Sequence, residues 1–219
     1  MSLNTEKCAH LCFSRKKIKV QAQYRISNEL ITQKCTYRYL GVILTDDCSW
    51  NAHVDHVVTK AGRALNFIQR SLRSSQPNLK KTAFLSCVRP IIEYACIVWD
   101  PAHRVLIEKL EKIHNRAARF VLGRYGRRDS CTAMKKELQW EPLASRRRKL
   151  RLKLLYLIVH GKTGIDFENY LKQPFYVSQR HDHSRKIREY RTRTNLFANS
   201  FFVKTVQQWN RLSEEQVCS

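Results

Sequence analysis

Glycine and proline are scarce in this sequence, with six Gly and five Pro among 219 residues. That leaves little material for long loops or serial turns and favours helices. Acidic residues are also few: 18 Asp and Glu stand against 41 Lys and Arg, a formal net charge of +23. A compact body with that excess repels itself. A polyanionic partner is therefore the natural reading, nucleic acid first and an anionic membrane surface second, with a merely solvated basic surface as the plain alternative. No apolar run approaches the roughly 18 residues of a membrane span. The opening Met1-Ser2-Leu3-Asn4-Thr5-Glu6-Lys7 lacks the basic-then-apolar layout of a signal peptide. An intracellular protein without a membrane partner is expected. What the chain has is core material: 43% hydrophobic residues, with nine Phe, nine Tyr and four Trp, which excludes a disordered tail.

The eight cysteines of a reducing interior are thiols or metal ligands, not a disulfide frame. Cys8, His10 and Cys12 share one face of an extended strand, but tetrahedral zinc lacks a fourth ligand and no C-x-x-C pair exists. Buried thiols and no metal are expected. Gly161-Lys162-Thr163 resembles the end of a phosphate-binding loop, yet Tyr156 stands where the motif needs glycine, and the tripeptide follows a helix instead of starting one. Asp46 and Asp47 are adjacent with no third carboxylate nearby. Metal-assisted phosphoryl transfer needs converging acids, so the pair reads as a turn. Nothing points to a small-molecule substrate.

Residues 8–44 read as short antiparallel strands: Cys8 to Phe13, then Ile18, Val20 and Ala22 in alternation, then the aromatic and β-branched run Tyr37 to Leu44. After Asp47 the period changes. Val54, Val57, Val58, Ala61, Leu65, Ile68 and Leu72 trace one face of a helix over about 50–73, with Ser49 as its candidate N-cap. A second helix is predicted over 78–98, kinked at Pro90. A third spans 103–122, where Lys109, Lys112, Arg116 and Arg119 line up beside the apolar stripe Leu106, Leu110, Ile113, Ala117 and Phe120. A short helix near 131–138 follows. The next starts at Pro142 and ends at Gly161. Its first half carries Arg146, Arg147, Arg148 and Lys149, and no acid occurs between Glu141 and Asp166, so phosphate contact is favoured over solubility. Residues 173–195, rich in Arg and His, read as a flexible basic loop. A last helix over 195–212 would bury Phe197, Phe201, Phe202, Val206 and Trp209.

Several stretches resemble one family. Tyr37-Arg38-Tyr39-Leu40-Gly41-Val42 with Ser49-Trp50 and His53, then Val88 to Ala95, Val98-Trp99-Asp100-Pro101, Asn115 to Val121, Leu138 to Arg148 and Asn195 to Asn210 are similar, in order, to the end of a non-LTR (LINE or jockey-type) retrotransposon reverse transcriptase. The resemblance implies the end of the palm with its primer-grip hairpin, a thumb that holds the primer–template backbone, and a carboxy-terminal region. Asn4 to Lys7 is similar to the family's motif D, so by that correspondence Lys7 alone has a chemical role, inert without the catalytic aspartates. The family's Y-A-D-D and earlier metal-binding Asp would precede residue 1. The magnesium those aspartates hold in full-length relatives would then have no site here, and this chain would need no cofactor.

The expected fold is α+β and mostly α-helical: a small antiparallel β remnant of the palm (1–46), a thumb-like helical bundle (47–125) and a basic helical carboxy-terminal region (126–219). The expected function is to grip RNA, an RNA/DNA hybrid or DNA through phosphates, without catalysis, in a nuclear or cytoplasmic ribonucleoprotein. The candidate contacts are Lys109, Lys112, Arg116, Arg119, Arg146, Arg147, Arg148 and Lys149. The alternatives are one half of an active reverse transcriptase completed by another polypeptide, or a functionless transposon relic.

Overall fold

In a computed structural model, which describes residues 4, 8–14, 22–26, 28–178 and 180–218, the chain is a mostly helical α+β protein. Lys7 and the alternating Ile18 and Val20 lie outside the described residues. In chain order the elements are β1 (Ala9–His10), β2 (Arg25–Ile26), β3 (Glu29–Leu30), β4 (Thr32–Gln33), β5 (Thr36–Tyr39) and β6 (Val42–Thr45). Helices follow: α1 (Asn51–Ser71), α2 (Pro77–Ala83), a π-helical turn (Phe84–Val88), α3 (Arg89–Glu93), α4 (Cys96–Trp99), α5 (Arg104–Leu122), α6 (Cys131–Glu137), α7 (Leu143–Val159), α8 (Phe167–Tyr170), α9 (Asn195–Ala198), α10 (Phe201–Trp209) and α11 (Glu214–Cys218). Two compact units emerge. One comprises residues 1–95 with 103–123, the other 96–102 with 124–219.

The expected single antiparallel sheet is instead three separate strand pairs. β2–β3 and β5–β6 are antiparallel, but β1 pairs with β4 in parallel. Alternation in so short a run fixes which face each side chain takes, not which neighbour the strand finds. The β5–β6 hairpin turns on Leu40 and Gly41, both at positive φ (44° and 84°), as a two-residue turn matched to the twist of its strands requires. Tyr94 crosses this turn: its hydroxyl donates to the Leu40 carbonyl at 2.8 Å, and a Cβ on Gly41 would sit 3.2 Å from the Tyr94 ring. Tyr37 to Val42 and Val88 to Ala95 thus meet in space. Gly41→Ala should cost about 1–2 kcal/mol through the left-handed backbone alone. It would be read as a lower urea midpoint at unchanged slope, and a wild-type midpoint would show that this turn is not a fixed feature.

In the first unit α1 buries Val54, Val57, Ala61, Leu65 and Ile68, and α5 buries Leu106, Leu110, Ile113, Ala117 and Phe120, the faces read from their periodicity. The start of α1 differs from expectation. Trp50 is its N-cap residue, and Ser49 instead closes a turn, its N–H donating to Asp47 Oδ1 at 2.9 Å. His53, buried on α1, accepts the Ile43 N–H at Nδ1 (3.1 Å) and so ties β6 to the helix. Burial, followed by the charges of His56 and Arg38, lowers its pKa to about 4, so it is neutral and keeps Nδ1 as acceptor.

The helix expected over 78–98 is broken twice. Pro90 has no N–H for the Ser86 carbonyl and its ring crowds that group; the backbone widens into the π-turn just before it. Ala95, at φ 49°, then ends the run. Most thiols are not buried as expected: of the described cysteines only Cys96 is.

The second unit packs Trp99, Met134, Leu143, Leu155, Ile158, Leu171, Ile187, Val206 and Trp209. Its final helix is split, because Asn199 and Ser200 turn their side chains onto the Asn195 and Phe197 carbonyls (both 2.7 Å) and compete with helix continuation. Val203, Val206 and Trp209 face the core, while Phe197 stays 43% exposed.

Candidate nucleic-acid interface

Two of the α5 cations, Lys109 and Arg116, meet side chains of α1. Lys109 Nζ meets Asp55 Oδ1 at 2.6 Å, so its charge is largely spent. Arg116 Nη2 donates to the amide oxygens of Asn66 (2.5 Å) and Gln69 (3.2 Å), which orient the guanidinium without neutralising it. Lys112 is exposed and Arg119 half-buried. Beyond Arg116, Asn66, Gln69 and Arg70 of α1 and Arg73 of the turn that follows it line an open hollow of about 380 Å³. Arg63, Arg70 and Arg73 are exposed, and no carboxylate among the described residues pairs with them. Sequence reasoning followed the apolar face of α1 and missed them, although their spacing of seven and three residues was there to be read.

The basic run on α7 divides sharply. Arg148 and Lys149 are exposed and Arg146 half-buried, with Lys149 bonded to the Glu141 carboxylate. Arg147 is 1% exposed, and this corrects its assignment as a phosphate contact. Its Nε meets Asp100 Oδ1 at 2.6 Å. Arg151, also buried, reaches Asp100 Oδ2 at 3.1 Å, and Lys204 from α10 reaches the same oxygen at 2.8 Å. Burial alone would raise the Asp100 carboxyl, but the Lys204 and Arg147 hydrogen bonds and the Arg151 charge outweigh it and hold it below its ordinary value. Arg151 also donates to Thr205 and Gln208 (3.2 and 3.1 Å). Three cations on one buried carboxylate form a structural hub of the second unit, joining α4, α7 and α10. A buried pair of this kind costs most when one member is removed.

The loop 173–195 is irregular, as expected, but it is pinned to the second unit. His183 is buried and its Nε2–H donates to the Trp209 carbonyl at 3.1 Å. Trp209 Nε1–H returns to the Arg185 carbonyl at 2.9 Å, and the Asn210 side chain brackets Ile187 through both backbone groups (3.0 and 2.8 Å). The expectation of a flexible loop is corrected. Among the described residues no group of three His, Cys, Asp or Glu side chains is placed to hold a metal ion, and no helix is long and apolar enough to cross a membrane.

A mostly helical α+β chain with two exposed, densely cationic helix surfaces is the class these features define. It is similar to a probable RNA-directed DNA polymerase from transposon X-element of Drosophila melanogaster, with 28% identity over 127 residues, 56% of this chain and 14% of that protein. The likeness to retrotransposon reverse transcriptases noted from the motifs is therefore found over more than half the chain, while the chain matches only a small part of the relative's length. No family model matches the sequence, and no solved structure matches it.

Proposed function

We propose that this chain is a nucleic-acid-holding part of a retrotransposon-type reverse transcriptase and is not itself catalytic. The observation that carries the reading is that Arg116 of α5 is held by Asn66 and Gln69, which line one hollow with Arg70 and Arg73, in a unit whose α5 also carries Lys112 and Arg119 and whose α1 carries the exposed Arg63. Phosphates satisfy such cations by exchanging condensed counterions for fixed charges. Arginine's planar donor fork suits phosphate oxygens, and the Asn66 and Gln69 carbonyls pre-orient one such fork. Arg146 and Arg148 offer a second set of contacts in the other unit. Phosphate contacts carry no sequence information, so binding is indifferent to sequence. RNA, an RNA/DNA hybrid and DNA are all within that chemistry. Catalysis is assigned elsewhere because the family's Y-A-D-D has no counterpart in these 219 residues, and polymerase chemistry needs carboxylates converging on its metal ions.

Incubation of the purified chain with a primer–template, nucleotides and magnesium tests both halves at once. The expected result is a shifted complex on a native gel and no primer extension above background. Extension that scales with protein through repurification would make the chain an enzyme. Free primer–template at micromolar protein and low salt would remove the binding function.

A further inference from the structure

The pinned loop of the second unit carries a surface that phosphate binding leaves unexplained. Phe175 is 85% exposed and Tyr176 75% exposed, side by side, the two most exposed large hydrophobic side chains of the described residues. Arg188 lies with its guanidinium 3.7 Å from the centre of the Phe175 ring, so one face of that ring is backed by a cation and the other is open. The same loop carries Arg180, Arg185, Arg191 and Arg193, all exposed and without a carboxylate partner among the described residues. The one nearby Asp–Lys pair, Asp182 with Lys186 at 2.7 Å, is internal to the loop. The platform is also held in place. The Arg188 N–H donates to the Lys172 carbonyl at 3.0 Å, tying the residue that backs the ring to the chain just before Phe175. Ser178 and Asp182 close the tip through a 2.7 Å bond, and Ile187 is anchored on Asn210.

An open aromatic face costs solvation and contributes nothing to a bare phosphate site. Aromatic faces on an arginine-rich loop, one of them backed by Arg188 and the loop already anchored, match a ligand that presents π-faces and phosphates together. We infer that Phe175 and Tyr176, backed by Arg188, form a stacking site for the unpaired bases of a single-stranded nucleic acid, with Arg180, Arg185, Arg191 and Arg193 holding its phosphates. A base would stack on the free face of Phe175 as the third layer above ring and guanidinium, a contact tolerant of any base because every base has a π-face. In a duplex the bases are stacked on one another and closed to the ring, so this surface takes template or transcript in its unpaired stretches. The inference rests on the proposed nucleic-acid binding and adds to it a second mode at a different place.

The test is equilibrium binding by fluorescence anisotropy to four probes of equal length: oligothymidylate, oligouridylate, an abasic deoxyribose-phosphate oligomer and a duplex. Wild type is compared with Phe175→Leu/Tyr176→Leu and with Phe175→Trp. Both positions are largely solvent-exposed, so the fold tolerates the changes. Losing a base stack should weaken oligothymidylate and oligouridylate binding about tenfold or more, leave the abasic and duplex probes unchanged, and spare Phe175→Trp. A preference between the first two probes names the strand as DNA or RNA. An equal loss on the abasic probe, or no loss on any probe, overturns the stacking site while leaving phosphate binding intact. The same holds if single-strand binding is unaffected and the aromatic pair is instead covered by a second protein. Failure of wild type to bind any probe overturns the proposed function itself.

Discussion

Asp100→Ala should unfold the second unit, or destabilise it by about 3–5 kcal/mol, the usual cost of stranding buried charges. The carboxylate is 9% exposed and faces guanidinium groups that are 2% and 3% exposed. Without it Arg147, Arg151 and Lys204 repel one another in a place water scarcely reaches. Hydrogen exchange should accelerate across α7 and α10, while α1 and α5 of the other unit keep wild-type protection. A second change distinguishes stranded charge from lost packing: Asp100→Asn with Arg147→Met should be more stable than Asp100→Asn alone, because it removes one of the cations left behind. Wild-type stability in Asp100→Ala would mean that the hub is not an organising element.

The same carboxylate sets part of the acid response. Its folded pKa lies below the ordinary 3.8, so its contribution is complete above that value and is lost as pH falls through the lower folded value. His53 acts in a different window. Its pKa falls from the ordinary 6.5 to about 4 in the fold. The unfolded chain therefore takes up the proton first, and the stability His53 provides drains as pH drops from about 6.5 towards 4.

Much of this was legible from residue order. The apolar stripes of α1 and α5 have the helical period, the α7 boundaries sit at Pro142 and Gly161, and the Leu40-Gly41 turn lies within the stretch resembling a hairpin. Arg147 was misread for a physical reason. Charge in a run suggests solvent, and only the partner tells otherwise; here that partner, Asp100, lies 47 residues away. The clue was periodicity: stepping back by fours from Leu155, the buried face of α7 passes through Arg151 and Arg147 to Leu143. The loop was misjudged for a similar reason, since its anchors on Trp209 and Asn210 are tertiary and leave no local period. The parallel β1–β4 pair was beyond reach because two-residue strands carry too little pattern to choose a neighbour.

The second large effect is the response of binding to salt. Six phosphate contacts by Lys112, Arg116, Arg119, Arg63, Arg70 and Arg73 give a log–log slope near −5.4 on duplex, from about −0.9 per contact. Affinity then falls on the order of a thousandfold between about 50 and 200 mM salt. Lys112→Gln/Arg116→Gln/Arg119→Gln should lose about half that slope without altering sequence preference, since only phosphate contacts are removed. Arg146→Gln/Arg148→Gln should remove up to about two units where the second unit also engages. Arg147 has to be left in place, because its loss would report on folding.

The most direct test of the account is therefore a salt titration of duplex binding by wild type and by the α5 triple variant, each confirmed folded by circular dichroism. The predicted result is a steep wild-type slope that flattens by about 2.7 units in the variant. A folded variant with the wild-type slope would contradict the account and return the cations of α5 to ordinary solvated surface.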